Sequence, residues 1–348
     1  MNKSKNTSDQ FDQRKKDHIS ISLKDSSQSL DDQLSQISFR HNALPEIDFQ
    51  AVSLTTQAFG SALSSPLFVS SMTLGHDEAG ELNNRIAYCC DQKGWMMGVG
   101  SQRRQLFDPQ AYQECEKLRA RFPNLILFGN IGLSQVITST VAQLQTLVES
   151  LGAQFLVVHT NPLQEAIQPE GTPQFSGGLQ ALSRLCHELS VPVVLKETGC
   201  GFSEQNFQSL KDISLAAVDV SGKGGTHWGR VEGLRQSEEE MGYQVAQTFA
   251  DWGLSTVDSL ENAYDAEFNK PIWASGGVRS GLDAAKLIAL GAEKVGFARP
   301  ILQKAVQGEE HLLKLMERLD RELKVALFCL GIDNVESLVG KRNHLQWK

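Results

Sequence analysis

Eight short apolar runs, rich in β-branched and aromatic residues, recur along the chain at nearly regular spacing. They occupy residues 67–72 (LFVSSM), 95–99 (WMMGV), 125–130 (LILFGN), 154–159 (QFLVVH), 192–197 (PVVLKE), 215–220 (LAAVDV), 271–276 (PIWASG) and 294–298 (KVGFA). Between them lie segments such as STVAQLQTLVESLGA and LQALSRLCHELS, where apolar residues recur three and four apart and Gly or Ser follows as a stop signal, the pattern of helices. Strand and helix thus alternate eightfold, which implies parallel strands joined by crossover helices. The runs show little two-residue alternation, as strands covered on both faces do. Eight such units in about 280 residues suit a closed (β/α)8 TIM barrel; an open doubly wound sheet is the structural alternative.

A chain of 348 residues, 41% hydrophobic and 21% charged, has material for a sizeable core. Its net charge of -8 argues against a general nucleic-acid binder, because neutralising phosphates takes clustered Lys and Arg. The six cysteines are scattered, without a C-x-x-C pair, and fit a reduced cytosolic protein. The N-terminus has no apolar signal region, and no stretch approaches the apolar length of a membrane span. A cytoplasmic protein without membrane or nucleic-acid partners is expected. Residues 1–38 are rich in Ser, Asp and Gln and read as a flexible tail with a short helix near 30–37. The division expected is an N-terminal extension over residues 1–60 and the barrel over 61–348.

In barrels of this type the active site is assembled from the C-terminal ends of the strands and the loops after them. After the first run come Ser71, Met72 and Thr73; after the second, Gly100, Ser101, Gln102 and Arg103; after the third, Asn130. The fourth ends in His159 and runs into Asn161, Gln164 and Glu165, and the fifth ends in Lys196 and Glu197. The sixth leads into Ser221 and GKGGTHWG, the seventh into Gly276 and Gly277, the eighth into Arg299. Polar residues after strands are common because loops begin there. What singles these out is that all eight ends deliver a polar group or glycine to one rim.

Lys196 and His159 directly follow apolar runs, where an unpaired polar group is costly to bury unless something anionic or hydrogen-bonding receives it. The glycine runs SGKGGTHWG and ASGGVRSG are plain turns on one reading. On the other, Gly276 and Gly277 ahead of RSGLDAAKLIALGA match the phosphate site that such barrels often carry in their last loops. Glu165 is either a solvated loop residue or, with Gln164 and His159, part of a site for a Mg2+ that keeps waters and shares phosphate oxygens. Arg14, Lys15 and Lys16 form a charge run that is ordinarily solvated and gains meaning only if a diphosphate is closed over.

The motifs RKKDHI, HNALPEIDF, SSMTLG, GVGSQRR, GNIG, HTNPLQE, LKETGCGFS, DVSGKGGTHWGRVE and ASGGVRSGLDAAKLIALGA, in this order and spacing, carry a resemblance. Along nearly its whole length the chain resembles the type 2 isopentenyl diphosphate isomerases, FMN-dependent (β/α)8 barrels. The resemblance implies that Met72, Thr73, Ser101, Asn130, Lys196, Ser221 and Thr226 hold FMN, with its phosphate near Gly276, Gly277, Ala298 and Arg299. It places the substrate diphosphate on Arg14, Lys15, His18, Ser101, Gln102 and Arg103. His159 and Gln164 then line the reacting end, and Glu165 ligates Mg2+. Leu74, Gly129 and Thr160 depart from the family pattern, each beside a matched residue.

The implied reaction moves isopentenyl diphosphate to dimethylallyl diphosphate by adding a proton at one end of an allylic unit and removing one from the other. An unactivated alkene is a very weak base and an amide such as Gln164 a poor acid, so a cofactor is expected to carry the transfer. Reduced FMN, acting through N5, fits that need, with Lys196 stabilising the anionic ring and NADPH as reductant. Relatives suggest a homotetramer or larger assembly. Two alternatives stand: another FMN barrel oxidoreductase, which would want a His and Arg pair after the seventh strand or a cysteine after the sixth, and a non-catalytic flavin-binding redox sensor.

Overall fold

All eight apolar runs form strands, and the strands close on themselves. The structure, a computed structural model, describes residues 14–29, 33–72 and 77–348. The strands are β1 (Leu67–Val69), β2 (Met96–Gly98), β3 (Leu127–Gly132), β4 (Leu156–Thr160), β5 (Val193–Glu197), β6 (Ala217–Asp219), β7 (Ile272–Ala274) and β8 (Lys294–Phe297). Each pairs in parallel with the next, and β8 pairs with β1, giving a closed barrel rather than the open sheet. Helices fill the connections. Val141–Leu151 starts on a capping box of Thr140 and Gln143 and ends at Gly152 in the left-handed region, burying Leu144, Leu147, Val148 and Leu151. Gly178–Glu188 buries Ala181, Leu182 and Leu185 in the same periodic way.

Side chains along a strand alternate between interior and exterior, and here the alternation hides in the sequence because both faces are apolar. Outward residues such as Val69, Met97, Val158, Leu195 and Val218 join the shell packed against the helices. Inward residues Phe68, Met96, Phe128, Val157, Val194, Ala217 and Trp273 meet in a second cluster with Phe155. The Phe128 and Phe155 rings stack 4.6 Å apart, and Phe68 lies 5.4 Å from Trp273. A hairpin of Thr56–Ala58 and Ser61–Leu63, which leads into β1, adds Ala58 and Leu63 to this cluster. Each large side chain so buried contributes about 2–3 kcal/mol.

Two residues further along six of the eight strands the interior changes character. Phe68 is followed by Ser70, Phe128 by Asn130, Val157 by His159, Val194 by Lys196, Ala217 by Asp219 and Trp273 by Ser275. Gly132, His159, Lys196 and Asp219 are successive partners across β3 to β6. The apolar cluster is therefore a floor, and a ring of polar side chains stands on it.

The N-terminal region departs from the tail expected of it. Residues 14–22 are helical, Asp25–Ser27 forms a 3-10 turn, and Gln28 makes an antiparallel bridge to Thr226. Instead of a helix near 30–37 there is a 3-10 turn over Gln33–Gln36 and a strand, Ile37–Phe39, paired with Leu345–Trp347. Ile21, Leu34 and Ile37 are buried, and composition averaged over a polar stretch conceals these few anchors. All six cysteines are free thiols. Among the described residues no helix is long and apolar enough to cross a membrane.

Candidate active site

Above the polar ring the barrel opens into a cavity of about 450 Å³, within the roughly 300–1,000 Å³ range of small-ligand sites. Of the residues singled out from sequence, Arg14, Lys15, His18, Met72, Ser101, Arg103, Asn130, His159, Gln164, Glu165, Lys196, Ser221, Thr226, Gly276, Gly277, Ala298 and Arg299 all line it. Thr73 and Leu74 lie outside the described residues.

Gln102 is the exception, and its expected substrate contact gives way to a supporting one. It is fully buried beneath the wall, accepting from the Asn130 N–H at 3.1 Å and donating to Leu147 O at 3.0 Å and Gln105 Oε1 at 2.9 Å. Its 3-10 turn, Gln102–Leu106, aims consecutive residues in different directions, so Arg103 faces the cavity while Gln102 faces the core.

On the floor, His159 Nδ1 lies 2.6 Å from Asn130 Oδ1. An amide oxygen only accepts, so Nδ1 carries the proton and Nε2 is left as an acceptor. Burial, then the charges of Lys196, Lys15 and Arg103, push the imidazole down to about 3, so it is neutral at physiological pH. Lys196 Nζ donates to Glu197 O at 2.8 Å and Ser275 Oγ at 3.2 Å and stands 3.5 Å from Asp219 Oδ2. The Glu197 carboxylate turns into its own loop and accepts from the N–H groups of Thr198, Gly199, Cys200 and Gly201. Burial nonetheless pushes its carboxyl up to about 7. Glu197 thus shapes the LKETGCGFS turn, and its neighbour Lys196 alone serves the cavity.

Beside the floor, the helix Pro162–Ile167 brings up Gln164 and Glu165. Asn161 Nδ2 donates to Gln164 Oε1 and Glu165 Oε1, each at 3.0 Å, which draws the two oxygens together. Thr172 donates to Glu165 Oε2 through its N–H and hydroxyl. Gln164 Nε2 donates in turn to Glu232 Oε1 at 2.8 Å.

Glu232 was not singled out from sequence, yet its carboxylate gathers side chains from several elements. It is fully buried and also accepts from His18 Nε2 at 2.8 Å and Arg235 Nη1 at 2.6 Å. Gln168 completes the set when its amide is turned to suit its neighbours, which brings the nitrogen 3.0 Å from Glu232 Oε1 and the oxygen 3.1 Å from Arg14 Nη1. Burial opposes ionisation of Glu232, but the His18 hydrogen bond and charge, Arg235 and the Gln164 amide overcome it and hold the carboxyl at about 2. Burial lowers His18 despite its partner.

Residues 14–29 cover one side of the mouth. Ser29 N donates to Gly225 O at 2.7 Å, His227 N donates to Ser27 O at 2.9 Å, and Gln28 Nε2 donates to Thr226 Oγ1 at 3.2 Å. Arg299 donates to Ser22 O and Leu23 O and pairs with Asp25 at 2.6 Å, so its guanidinium grips this segment while the residue still lines the cavity. Arg14 and Lys15 approach Arg103, and burial followed by the Arg14 charge pushes Lys15 down to about 8. Three crowded cations at one mouth favour a polyanion.

In the loop after β7, Gly276 and Gly277 have φ of 95° and 76°, the region that favours glycine. A Cβ on Gly277 would come within 2.8 Å of the Gly224 backbone. Two glycine turns therefore pack back to back, leaving a cradle of bare backbone beside Ala298 and Arg299. The buried hydroxyls of Ser70 and Ser71 line the cavity and have no hydrogen-bond partner among the described residues. A glycine cradle for a phosphate, orphaned hydroxyls and a lysine on the floor suit a phosphorylated, heteroatom-rich cofactor such as FMN.

Comparison with known proteins narrows this. The FMN-dependent dehydrogenase family matches residues 133–346. An isopentenyl-diphosphate delta-isomerase of Bdellovibrio bacteriovorus is 50% identical over 339 residues, covering 96% of this chain and 97% of the relative. One from Archaeoglobus fulgidus is 40% identical over 327 residues, covering 94% of each chain. Among solved structures, an (S)-mandelate dehydrogenase mutant superposes with a TM-score of 0.68 at 16% identity, covering 96% of this chain and 99% of its own. A flavocytochrome b2 variant gives 0.65 at 18% identity, covering 94% and 82%. These two likenesses concern the fold.

Proposed function

Since the chain belongs to the isopentenyl-diphosphate delta-isomerases, within the FMN-dependent barrels, we propose that it interconverts isopentenyl and dimethylallyl diphosphate by a 1,3-allylic proton rearrangement with reduced FMN and Mg2+. The observation that carries this reading is one cavity lined by two anion-binding groups of residues. The Arg14, Lys15 and Arg103 cluster suits a diphosphate, the Gly276 and Gly277 cradle suits the cofactor phosphate, and neutral His159 and Gln164 lie in the same cavity.

FMN, bound and reduced, supplies at N5 the acid–base chemistry that an unactivated alkene demands. The chain's own residues hold and orient. Lys196 would offer its ammonium to the flavin ring, Ser70, Ser71, Ser101 and Asn130 would offer it polar contacts, and the Gly276 and Gly277 turn would take the phosphate. Gln164, pinned between Asn161 and Glu232, presents its amide to the hydrocarbon end and fixes which allylic carbon is addressed. His159 offers the unprotonated Nε2 as acceptor. Remote binding energy from the diphosphate then holds a small and nearly featureless alkene in place.

Among the described residues no group of three or more His, Cys, Asp or Glu could hold a metal by itself. Mg2+ fits here only as an ion shared with the substrate, held by the Glu165 carboxylate that Asn161 orients, waters and diphosphate oxygens. In this reading NADPH keeps the flavin reduced, and the enzyme works in the cytoplasm as a homotetramer or larger assembly. Oxidation of a hydroxy acid, the reaction type of the mandelate enzymes, gains no support from the loop after β7, whose sequence ASGGVRSG contains no histidine.

The direct test is exchange. Protein loaded with FMN, reduced anaerobically and given Mg2+ and isopentenyl diphosphate in D2O is expected to yield deuterated dimethylallyl diphosphate by NMR. Recovery of unlabelled, unchanged substrate would overturn the reading.

A further inference from the structure

Lys196 is held from behind by a carboxylate that does not reach the cavity. Asp219 is 1% exposed and pairs in register with Lys196 across β5 and β6. Ser275 Oγ lies 2.9 Å from both oxygens of Asp219 and 3.2 Å from Lys196 Nζ. A hydroxyl has one proton and an ammonium cannot accept, so Ser275 donates to Asp219 and receives from Lys196. Lys196 spends a second N–H on Glu197 O. Its third N–H has both Asp219 Oδ2, at 3.5 Å, and the cavity that Lys196 lines within reach. Asp219 Oδ1 also accepts from the N–H of Ser221 at 3.3 Å, a cavity residue in the left-handed region at φ 36°.

We infer that Asp219 is the positioning residue that sets the cofactor's reduction potential, by fixing the direction of Lys196 and offsetting its positive charge beneath the bound flavin. This rests on the reading that FMN occupies the cavity over Lys196. Reduction places negative charge on the ring, so a nearby cation favours the reduced form and a nearby anion opposes it. In the buried floor the two charges nearly cancel at long range, and the ammonium stays oriented. The wild-type potential is therefore a balance between Lys196 and Asp219 and not the work of Lys196 alone.

The test is the midpoint potential of bound FMN in wild type, Asp219→Asn, Lys196→Met and the double variant, each measured by anaerobic titration against a reference dye. Asp219→Asn is expected to raise the ratio of affinities for reduced over oxidised FMN about tenfold, equivalent to about 30 mV for a two-electron couple. Lys196→Met is expected to lower it, and the double variant to return near wild type. If Asp219→Asn alone does not fold, the step from Lys196→Met to the double variant carries the same expectation, because neither leaves an unpaired lysine. A purely structural Asp219 would weaken oxidised and reduced FMN alike and leave the potential where it was, overturning the inference. Failure of wild type to bind FMN, or a Lys196→Met potential equal to wild type, would instead sink the reading of the floor.

Discussion

Gln164 Nε2 donates to Glu232 Oε1 at 2.8 Å across 68 positions of sequence, and the carboxylate it meets is fully buried. The residue assigned to the hydrocarbon end of the substrate is thus oriented by a charge that no solvent screens. That charge is tied through His18 to the N-terminal helix and through Arg235 to the surface.

Glu232→Gln is expected to cut turnover about 100-fold, the lower end of what positioned proton-handling groups contribute, while FMN still binds. It also leaves Arg235 with Glu170 at 3.1 Å and the more distant Asp17 at 3.8 Å as its acidic partners. Breaking a buried pair from one side costs about 3 kcal/mol. Steady-state rates with flavin absorbance, and urea unfolding of the same preparation, separate the two effects.

Stability should depend on His159 below neutrality. Its imidazole is held at about 3 when folded against an ordinary 6.5, so the unfolded chain binds the extra proton as pH falls. This contribution is complete above pH 6.5 and is lost as pH drops toward 3, with a limiting slope of about 1.4 kcal/mol per pH unit. Unfolding free energies between pH 7 and 4 are expected to fall less steeply for His159→Gln than for wild type.

Lys15, pushed down to about 8, must be protonated to meet a diphosphate. The value of kcat/KM is therefore expected to decline as pH rises through 8, and Lys15→Arg should move that limb to higher pH. Lys15→Met removes a charge-assisted hydrogen bond worth about 1.5–3 kcal/mol, or roughly a 10- to 100-fold loss expressed in KM. A KM unchanged in Lys15→Met would take the diphosphate away from this end of the cavity.

Gln102→Ala is expected to act on stability and hardly on substrate affinity. It strands the Asn130 N–H, a buried group costing about 1–3 kcal/mol unpaired, while Leu147 O keeps the Ser150 hydroxyl. Thermal unfolding should drop while KM stays near wild type once FMN is saturating. A KM effect as large as that of Lys15→Met would restore Gln102 to the substrate site.

Strand identity was legible because both faces of a barrel strand are apolar, which makes each run stand out. The rim was legible because the polar switch falls where the run ends: His159 and Lys196 each close one. Asp219 and Ser275 obey the same rule, two positions beyond an interior residue, but they sit inside runs that look continuous, LAAVDV and PIWASG. Parity counted from Ala217 and Trp273 would have found them. Glu232 gave no local signal; within WGRVEGL it reads as one charged residue of a short helix, and its meaning comes from His18, 214 positions away. Gln102 misled because it lies between Ser101 and Arg103, and a tight turn sends neighbours to opposite sides. The N-terminal anchors were diluted by the polar residues around them.

The stacked rings of Phe128 and Phe155, with Trp273, Phe68 and the hairpin beneath, cork the barrel at its base. Among the described residues the base is thus closed, and a vessel with one neck empties in the reverse of the order in which it was filled. On the proposed reading a flavin lying on the floor would enter first and leave last. Each turnover would then exchange only what sits nearer the neck, and the cofactor would be retained by the geometry of its container as much as by its own affinity.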